Sequence, residues 1–89
     1  MAKLYRSNGI IEDVTPKNGN DFSLEEMQAM VGGYIETLSL NDGKWIVVNE
    51  EGKLQNLPLN FQASKIIKDC GYADYIVGDA LICNNGEIN

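Results

Sequence analysis

The hydrophobic period of the chain changes at Tyr34, from helical spacing before it to the alternation of strands after it. Ser23, with Glu26 three residues later, forms the capping-box pattern that starts a helix, and Gly32-Gly33 is a typical helix end. The apolar stripe between these signals consists of Leu24, Met27, Met30 and Val31. A chain that switches period in this way is expected to fold as a mixed α+β domain.

The alternating segment predicts a hairpin, with strands over Tyr34–Leu40 and Trp45–Asn49. Two registers compete. A two-residue loop at Asp42-Gly43 places Leu40 opposite Trp45, whereas a three-residue loop places Ser39 opposite Trp45. Because a slip of one residue exchanges the two faces of a strand, the register that collects the large apolar side chains on one face is favoured. We therefore predict the two-residue loop.

The remaining segments complete an α+β outline with the order ββ-α-βββ-α-β. The glutamates of Asn49-Glu50-Glu51-Gly52-Lys53 predict a type I turn, with Gly52 as the left-handed residue of a bulge. The other predicted elements are an N-terminal hairpin (strands 2–6 and 10–14), a third meander strand over Leu54–Leu57, a helix capped by Asn60 and ended by Gly71, and a bent strand from Tyr75 to Cys83. We expect the two short helices to cover one face of a mostly antiparallel sheet.

Size and charge exclude several classes of protein. The 89 residues suit a single domain, 1–89, with 44% hydrophobic residues and a formal net charge of −6. Arg6 is the only arginine, which disfavours direct binding to nucleic acid or to an anionic membrane. No histidine is present, so the usual general base and metal ligand are missing. The N-terminus lacks the apolar region of a signal peptide, which predicts a cytoplasmic protein.

The two cysteines do not form a metal motif. Cys70 and Cys83 are too far apart for the paired ligands of a zinc site, and each lies in an apolar run. We expect reduced, structural thiols, no metal and no cofactor.

Three stretches together resemble one family. They are Val31-Gly32-Gly33-Tyr34-Ile35-Glu36, then Val48-Asn49-Glu50-Glu51-Gly52-Lys53-Leu54 with Leu57-Pro58-Leu59-Asn60, and then Ile76-Val77-Gly78-Asp79. This order is similar to the domain-of-unknown-function family 3846, which occurs in phages and mobile elements. The resemblance covers about residues 24–83, with the N-terminal hairpin, 2–14, outside it. It implies a phage or mobile-element setting and no assigned activity.

Five polar residues are candidates for ligand or partner binding. They are Asn49, Glu50, Lys53, Asn60 and Asp79. Loops with rigid turn tips carry contacts of this kind. The alternative for each is structural: a solvated turn for the first three, a helix cap for Asn60 and a turn residue for Asp79. Adjacent glutamates point in different directions, so we predict no catalytic residue.

The sequence therefore predicts a non-catalytic module that binds a protein or a small ligand. The alternative is an acidic counter-defence inhibitor of a host nucleic-acid-binding protein, because residues 21–60 hold seven acids against Lys44 and Lys53. An enzyme would need Asn49, Glu50, Asp79 and Tyr75 in one pocket. We also expect the N-terminal hairpin to cover part of the second sheet face, and a homodimer to be as plausible as a monomer.

Overall fold

The computed structural model describes residues 2–88, which form one antiparallel sheet and two α-helices. The strands are β1 (Ala2–Tyr5), β2 (Ile11–Val14), β3 (Ile35–Ser39), β4 (Lys44–Asn49) and β5 (Ala80–Asn84), and the helices are α1 (Leu24–Val31) and α2 (Phe61–Asp69). The order across the sheet is β2-β1-β5-β4-β3. The predicted fold class is confirmed. The predicted element order also matches if Leu59, which forms an isolated bridge with Val77, is counted as the third strand of the βββ segment.

The two helices lie on opposite faces of the sheet, so the prediction that both cover one face is wrong. On the α1 face, Met27 and Val31 pack with Leu4, Val47 and Leu81. The α2 face holds a separate cluster of Ala63, Ile67, Ile46, Val48 and Ala80. Neighbouring residues of β4 and β5 belong to different clusters because successive side chains of a strand point to opposite faces. The sheet is therefore a middle layer with apolar residues on both sides.

The N-terminal hairpin extends the sheet instead of covering a face, which corrects a second expectation. β1 pairs with β5 on one side and with β2 on the other. Its turn, Ser7-Asn8-Gly9, closes with a hydrogen bond from the Arg6 N–H to the Ile10 carbonyl, at 2.9 Å, and Gly9 adopts φ 94°. α2 covers the face that the hairpin was expected to close.

α1 begins and ends as the sequence predicts. The Glu26 N–H donates to Ser23 Oγ at 3.1 Å, and the Ser23 N–H donates to Glu26 Oε1 at 3.0 Å. Two backbone hydrogen bonds lower the pKa of Glu26: the larger effect comes from the Ser23 N–H and the smaller from the Lys17 N–H. Gly32 ends the helix in the left-handed conformation.

The register of the β3–β4 hairpin is the one that we did not choose. Ser39 lies opposite Trp45, and Leu38 lies opposite Ile46. Asp42 and Gly43 do form a left-handed turn, but Asn41 is inserted as a bulge: the Lys44 N–H donates to the Asn41 carbonyl, while the Lys44 carbonyl accepts from the Leu40 N–H. This register places Leu38 and Leu40 in the α2-face cluster. Collecting leucines on the Trp45 face would have left polar residues under α2.

Two details of the following turn are also corrected. Leu54–Leu57 is a series of turns, with Leu54 84% exposed, and no part of it joins the sheet. Gly52 lies outside the left-handed region; a Cβ there would lie 2.8 Å from Val77 Cγ2. The position needs glycine for a close approach, and the left-handed residue of the segment is Asn56, with φ 54°.

Both cysteines are free, and they lie in different clusters. Cys83 belongs to the α1-face cluster and Cys70 to the α2-face cluster. Burial raises the pKa of the Cys83 thiol to about 11. The thiol is therefore protonated at neutral pH and packs as a small apolar group.

Candidate functional site

Three of the five predicted site residues line one pocket of about 210 Å³, which we call the tyrosine pocket. It lies between the edge strand β3, the end of β4 and the segment that joins α2 to β5. Its walls are formed by Glu36, Leu38, Val48, Asn49, Glu50, Lys53, Tyr72, Asp74, Tyr75, Ile76 and Val77. The turn that carries Glu50 and Lys53 thus lies against two tyrosines that are more than fifteen residues further along the chain.

Lys53 is held in this pocket by a carboxylate and an aromatic ring. Its Nζ lies 2.5 Å from Asp74 Oδ1 and 4.2 Å from the centre of the Tyr75 ring. The hydrogen bond to Asp74 is the main cause that raises the pKa of Lys53, and the same bond lowers the pKa of Asp74. The Tyr75 N–H also donates to Asp74 Oδ1, at 2.7 Å, which orients the carboxylate.

The pocket has an excess of negative charge. Glu36, Glu50 and Asp74 supply three carboxylates against the ammonium of Lys53, which gives a formal charge of −2 for the described lining. Tyrosine faces and carboxylates are the groups that surround ammonium and guanidinium ligands in proteins. The arrangement is therefore suited to a cation and not to a phosphate.

Asn49 positions the turn and does not present free polar atoms. It is buried, and its Nδ2 donates to the Val31 carbonyl at 3.2 Å and to Gln55 Oε1 at 3.3 Å. Its Oδ1 accepts from the Glu51 N–H at 2.8 Å. Asn49 therefore has a structural role, although it is buried and not part of a solvated turn as the structural alternative expected. Glu50 is exposed at the pocket rim.

Asn60 lies away from the tyrosine pocket and joins three parts of the fold. As the N-cap of α2, its Oδ1 accepts from the Ala63 N–H at 3.1 Å. Its Nδ2 donates to the Tyr5 carbonyl at 2.8 Å and to the Gly78 carbonyl at 2.9 Å. Both polar atoms of this buried amide form hydrogen bonds within the chain, so the residue has a structural role.

Asp79 lies on another part of the surface, beside Arg6. Its Oδ2 accepts from Arg6 Nη1 and its Oδ1 from the Ser7 N–H, both at 2.9 Å. Arg6 also pairs with Glu12. The four-residue pocket that an enzyme hypothesis required does not form, because Asp79 does not line the pocket of Asn49, Glu50 and Tyr75.

The sequence reasoning missed Glu36, Tyr72 and Asp74, which complete the pocket. A signal was present in Tyr72-Ala73-Asp74-Tyr75, two tyrosines in a loop directly after the helix end at Gly71. Loop aromatics of this kind often serve in binding. Their distance from Lys53 in the chain hid the relation between the two segments.

A larger open groove of about 750 Å³ lies between α1 and the N-terminal hairpin. Its charged groups include Arg6, which is held by Glu12 and Asp79, and Glu26, which caps α1. These two groups already have partners within the chain, and the other charged groups of the lining, Lys17 and Glu25, have opposite signs. The groove therefore has no net formal charge, in contrast to the tyrosine pocket.

Neither a metal site nor a membrane span is visible among residues 2–88. These residues contain no group of three or more His, Cys, Asp or Glu side chains placed to hold a metal ion. None of the helices in the same range is long and apolar enough to cross a bilayer.

Residues 9–89 match the family model described as a domain of unknown function, DUF3846, and the chain belongs to this family. The match confirms the resemblance and extends beyond residues 24–83, so that it includes β2 of the N-terminal hairpin. Neither the curated proteins nor the solved structures contain a match to the chain.

Proposed function

We propose that this member of the DUF3846 family is a non-catalytic binding module, and that its tyrosine pocket holds a cationic group of a protein or small-molecule partner. The observation that supports this proposal is the position of Lys53. The chain's own ammonium lies between the Asp74 carboxylate and the Tyr75 ring, as an ammonium ligand would. A phage or mobile-element setting, which the family resemblance implies, and a cytoplasmic location belong to the same proposal.

The expected affinity for a small cation is modest. Lys53 and Asp74 are 46% and 52% exposed, so water and salt screen the charges of the pocket. A cation–π contact at such an exposed site contributes about 0.5–1 kcal/mol. A dissociation constant of 1 mM would already require about 4 kcal/mol, so we expect an isolated lysine side chain to bind more weakly than that, and a partner that makes further contacts to bind more tightly.

The test is an NMR titration of the isotope-labelled protein with Nα-acetyl-lysine methylamide. We expect chemical-shift changes in the amides around Lys53, Asp74 and Tyr75, and weaker binding in Glu36→Gln and Asp74→Asn. The norleucine analogue keeps the four-carbon side chain of lysine without the ammonium group, and should cause no such changes. Glu25→Gln, at an exposed position of α1 away from the pocket, is the matched charge control. Equal shifts with norleucine, or shifts scattered over the surface, would contradict the proposal.

The second candidate, an acidic inhibitor of a host nucleic-acid-binding protein, uses the same negative charge. It is favoured by the exposed Glu50, Glu51 and Asp42, for which the described part of the chain provides no ion-pair partner. Asp42 lies in the turn between β3 and β4, whereas Glu50 and Glu51 follow the other end of β4, so these acids occur at both ends of the hairpin. Binding to such a partner should weaken steeply as salt rises and should compete with DNA. An affinity that is equal at low and high salt would exclude it.

A further inference from the structure

The outer edge of β3 presents backbone groups that make no hydrogen bond to β4. Within the β3–β4 hairpin, the Leu40 N–H donates to the Lys44 carbonyl and the Glu50 N–H donates to the Tyr34 carbonyl. The hydrogen-bonded positions of an antiparallel pair alternate, so the even-numbered residues of β3 bond to β4. The N–H and C=O groups of Ile35, Thr37 and Ser39 therefore point away from the sheet.

One end of this edge is closed by the tyrosine pocket itself. The Tyr72 hydroxyl donates to the Ser39 carbonyl at 2.6 Å. The free edge thus extends over Ile35 and Thr37, which is a short segment. Short or obstructed edges are a common protection against uncontrolled pairing between copies.

The free edge borders the tyrosine pocket directly. Glu36 and Leu38 are the β3 side chains that point to the α2 face, and both line the pocket. Residues that lie directly opposite each other in an antiparallel pair place their side chains on the same face, about 4.5–5.5 Å apart. A strand added beside β3 would therefore direct its residue opposite Glu36 towards the pocket.

The other edge of the sheet does not offer this chemistry. The acids of β2 are already neutralised, Glu12 by Arg6 and Asp13 by Lys3. At β3, by contrast, Glu36 takes part in no ion pair among residues 2–88. Charge complementarity therefore favours a basic partner at β3 and leaves β2 without a comparable preference.

We propose that β3 accepts an extended basic peptide segment as a sixth, antiparallel strand, with a Lys or Arg opposite Glu36 that enters the tyrosine pocket and displaces Lys53 from Asp74. This inference rests on the proposed function and names its partner. Main-chain hydrogen bonds to Ile35 and Thr37 supply sequence-independent affinity, and the pocket selects the basic side chain. In an antiparallel segment, the residue opposite Leu38 comes two positions before the basic one, so the preferred pattern is apolar-x-basic.

The probe is the peptide acetyl-Thr-Ser-Leu-Thr-Lys-Val-Thr-amide, which places its lysine opposite Glu36. N-methylation of the central Thr and of Val blocks the amides that would face β3, while N-methylation of Leu and Lys blocks amides that face away. Loss of two backbone hydrogen bonds should weaken binding about tenfold or more in the first peptide, whereas the second peptide should retain its affinity. The Ile35 and Thr37 amides should gain protection from hydrogen exchange with the unmodified peptide.

Protein variants provide the reciprocal test. Thr37→Pro removes an outward N–H from an edge strand, where proline is tolerated, and should abolish peptide binding while leaving the response to Nα-acetyl-lysine methylamide intact. Ile11→Pro makes the matching change on the opposite edge and should leave both intact.

Three results would overturn the inference. If the two N-methylated peptides bind equally while Nα-acetyl-lysine methylamide still binds, the added strand is excluded and the proposed function stands. If neither the peptide nor Nα-acetyl-lysine methylamide binds, the added strand and the proposed function are both excluded. A β3–β3 dimer that excludes the peptide would also overturn it, since a second copy of the chain would then occupy the edge.

Discussion

At the residue scale, Asn60 shows how much of a site candidate can be structural. Its role as a helix cap is predictable from a single asparagine before an apolar stripe. The two carbonyls that it also binds, those of Tyr5 and Gly78, lie 55 and 18 residues away in the chain. Local chemistry cannot predict such partners, because they depend on the packing of β1 and of the segment before β5 against α2.

Replacing this amide should destabilise the fold far more than replacing an ordinary cap. Asn60→Ala removes the cap and also the amide donor to the carbonyls of Tyr5 and Gly78, and we expect a loss of about 2–4 kcal/mol in the free energy of unfolding. Ser23→Ala, which removes only the cap of α1, should cost about 1 kcal/mol. Urea denaturation followed by circular dichroism measures both. Equal costs would show that the bonds to Tyr5 and Gly78 contribute nothing.

Gly52 offers a second residue-scale prediction, in which steric contact and backbone strain can be separated. In Gly52→Ala the new Cβ would lie 2.8 Å from Val77 Cγ2, and we expect a cost of about 1–3 kcal/mol. Val77→Ala in the same chain removes the obstructing methyl group and should restore part of the loss. A double-mutant cycle measures this coupling.

Gly78→Ala is the matched control for that cycle. Its Cβ would meet Leu57 Cδ1 at the same distance, but Gly78 also adopts φ 76°. Leu57→Ala should therefore not restore it, because the backbone strain remains. This account of the two glycines would be contradicted if Leu57→Ala restored the stability lost in Gly78→Ala. It would also be contradicted if Val77→Ala restored none of the stability lost in Gly52→Ala.

At the element scale, the sequence predicts elements well where their signals are local. The capping box of α1, the cap of α2 and the N-terminal hairpin are predicted from neighbouring residues, and all three are present. The errors concern faces. The bulge at Asn41 shifts the register of β3 by one residue. The favoured register depends on which face α2 covers, and the sequence of the hairpin alone does not show this.

Deletion of Asn41 tests this account of the register. The shorter loop would force the two-residue hairpin and move Leu38 and Leu40 away from α2. Because removal of one buried leucine costs about 2–5 kcal/mol, and small domains have about 5–15 kcal/mol in total, we expect a largely unfolded protein. Asn41→Gly keeps the residue count and should melt close to the parent temperature. A deletion variant with an unchanged thermal melt would show that both registers are equivalent.

At the scale of the whole molecule, the position of the helices removes the reason to expect a homodimer. The expectation of a dimer rested on one face of the sheet being left uncovered, but α1 and α2 each cover one face. Among residues 2–88, the exposed large apolar side chains include Ile10, Ile11, Leu54 and Phe61, and the sheet has two edges, β2 and β3. Tyr72 obstructs one of these edges, and the net charge of −6 makes copies repel each other at low salt.

We therefore expect a monomer of 9.8 kDa by light scattering at micromolar concentration, both at low salt and at a salt concentration that screens the net charge. The second condition is the decisive one, since a monomer kept apart only by charge would associate once the charge is screened. A mass of about twice that value at high salt would show that an apolar surface is shared between copies. Thr37→Pro would then locate it: a dimer that persists does not use β3, whereas one that dissociates does.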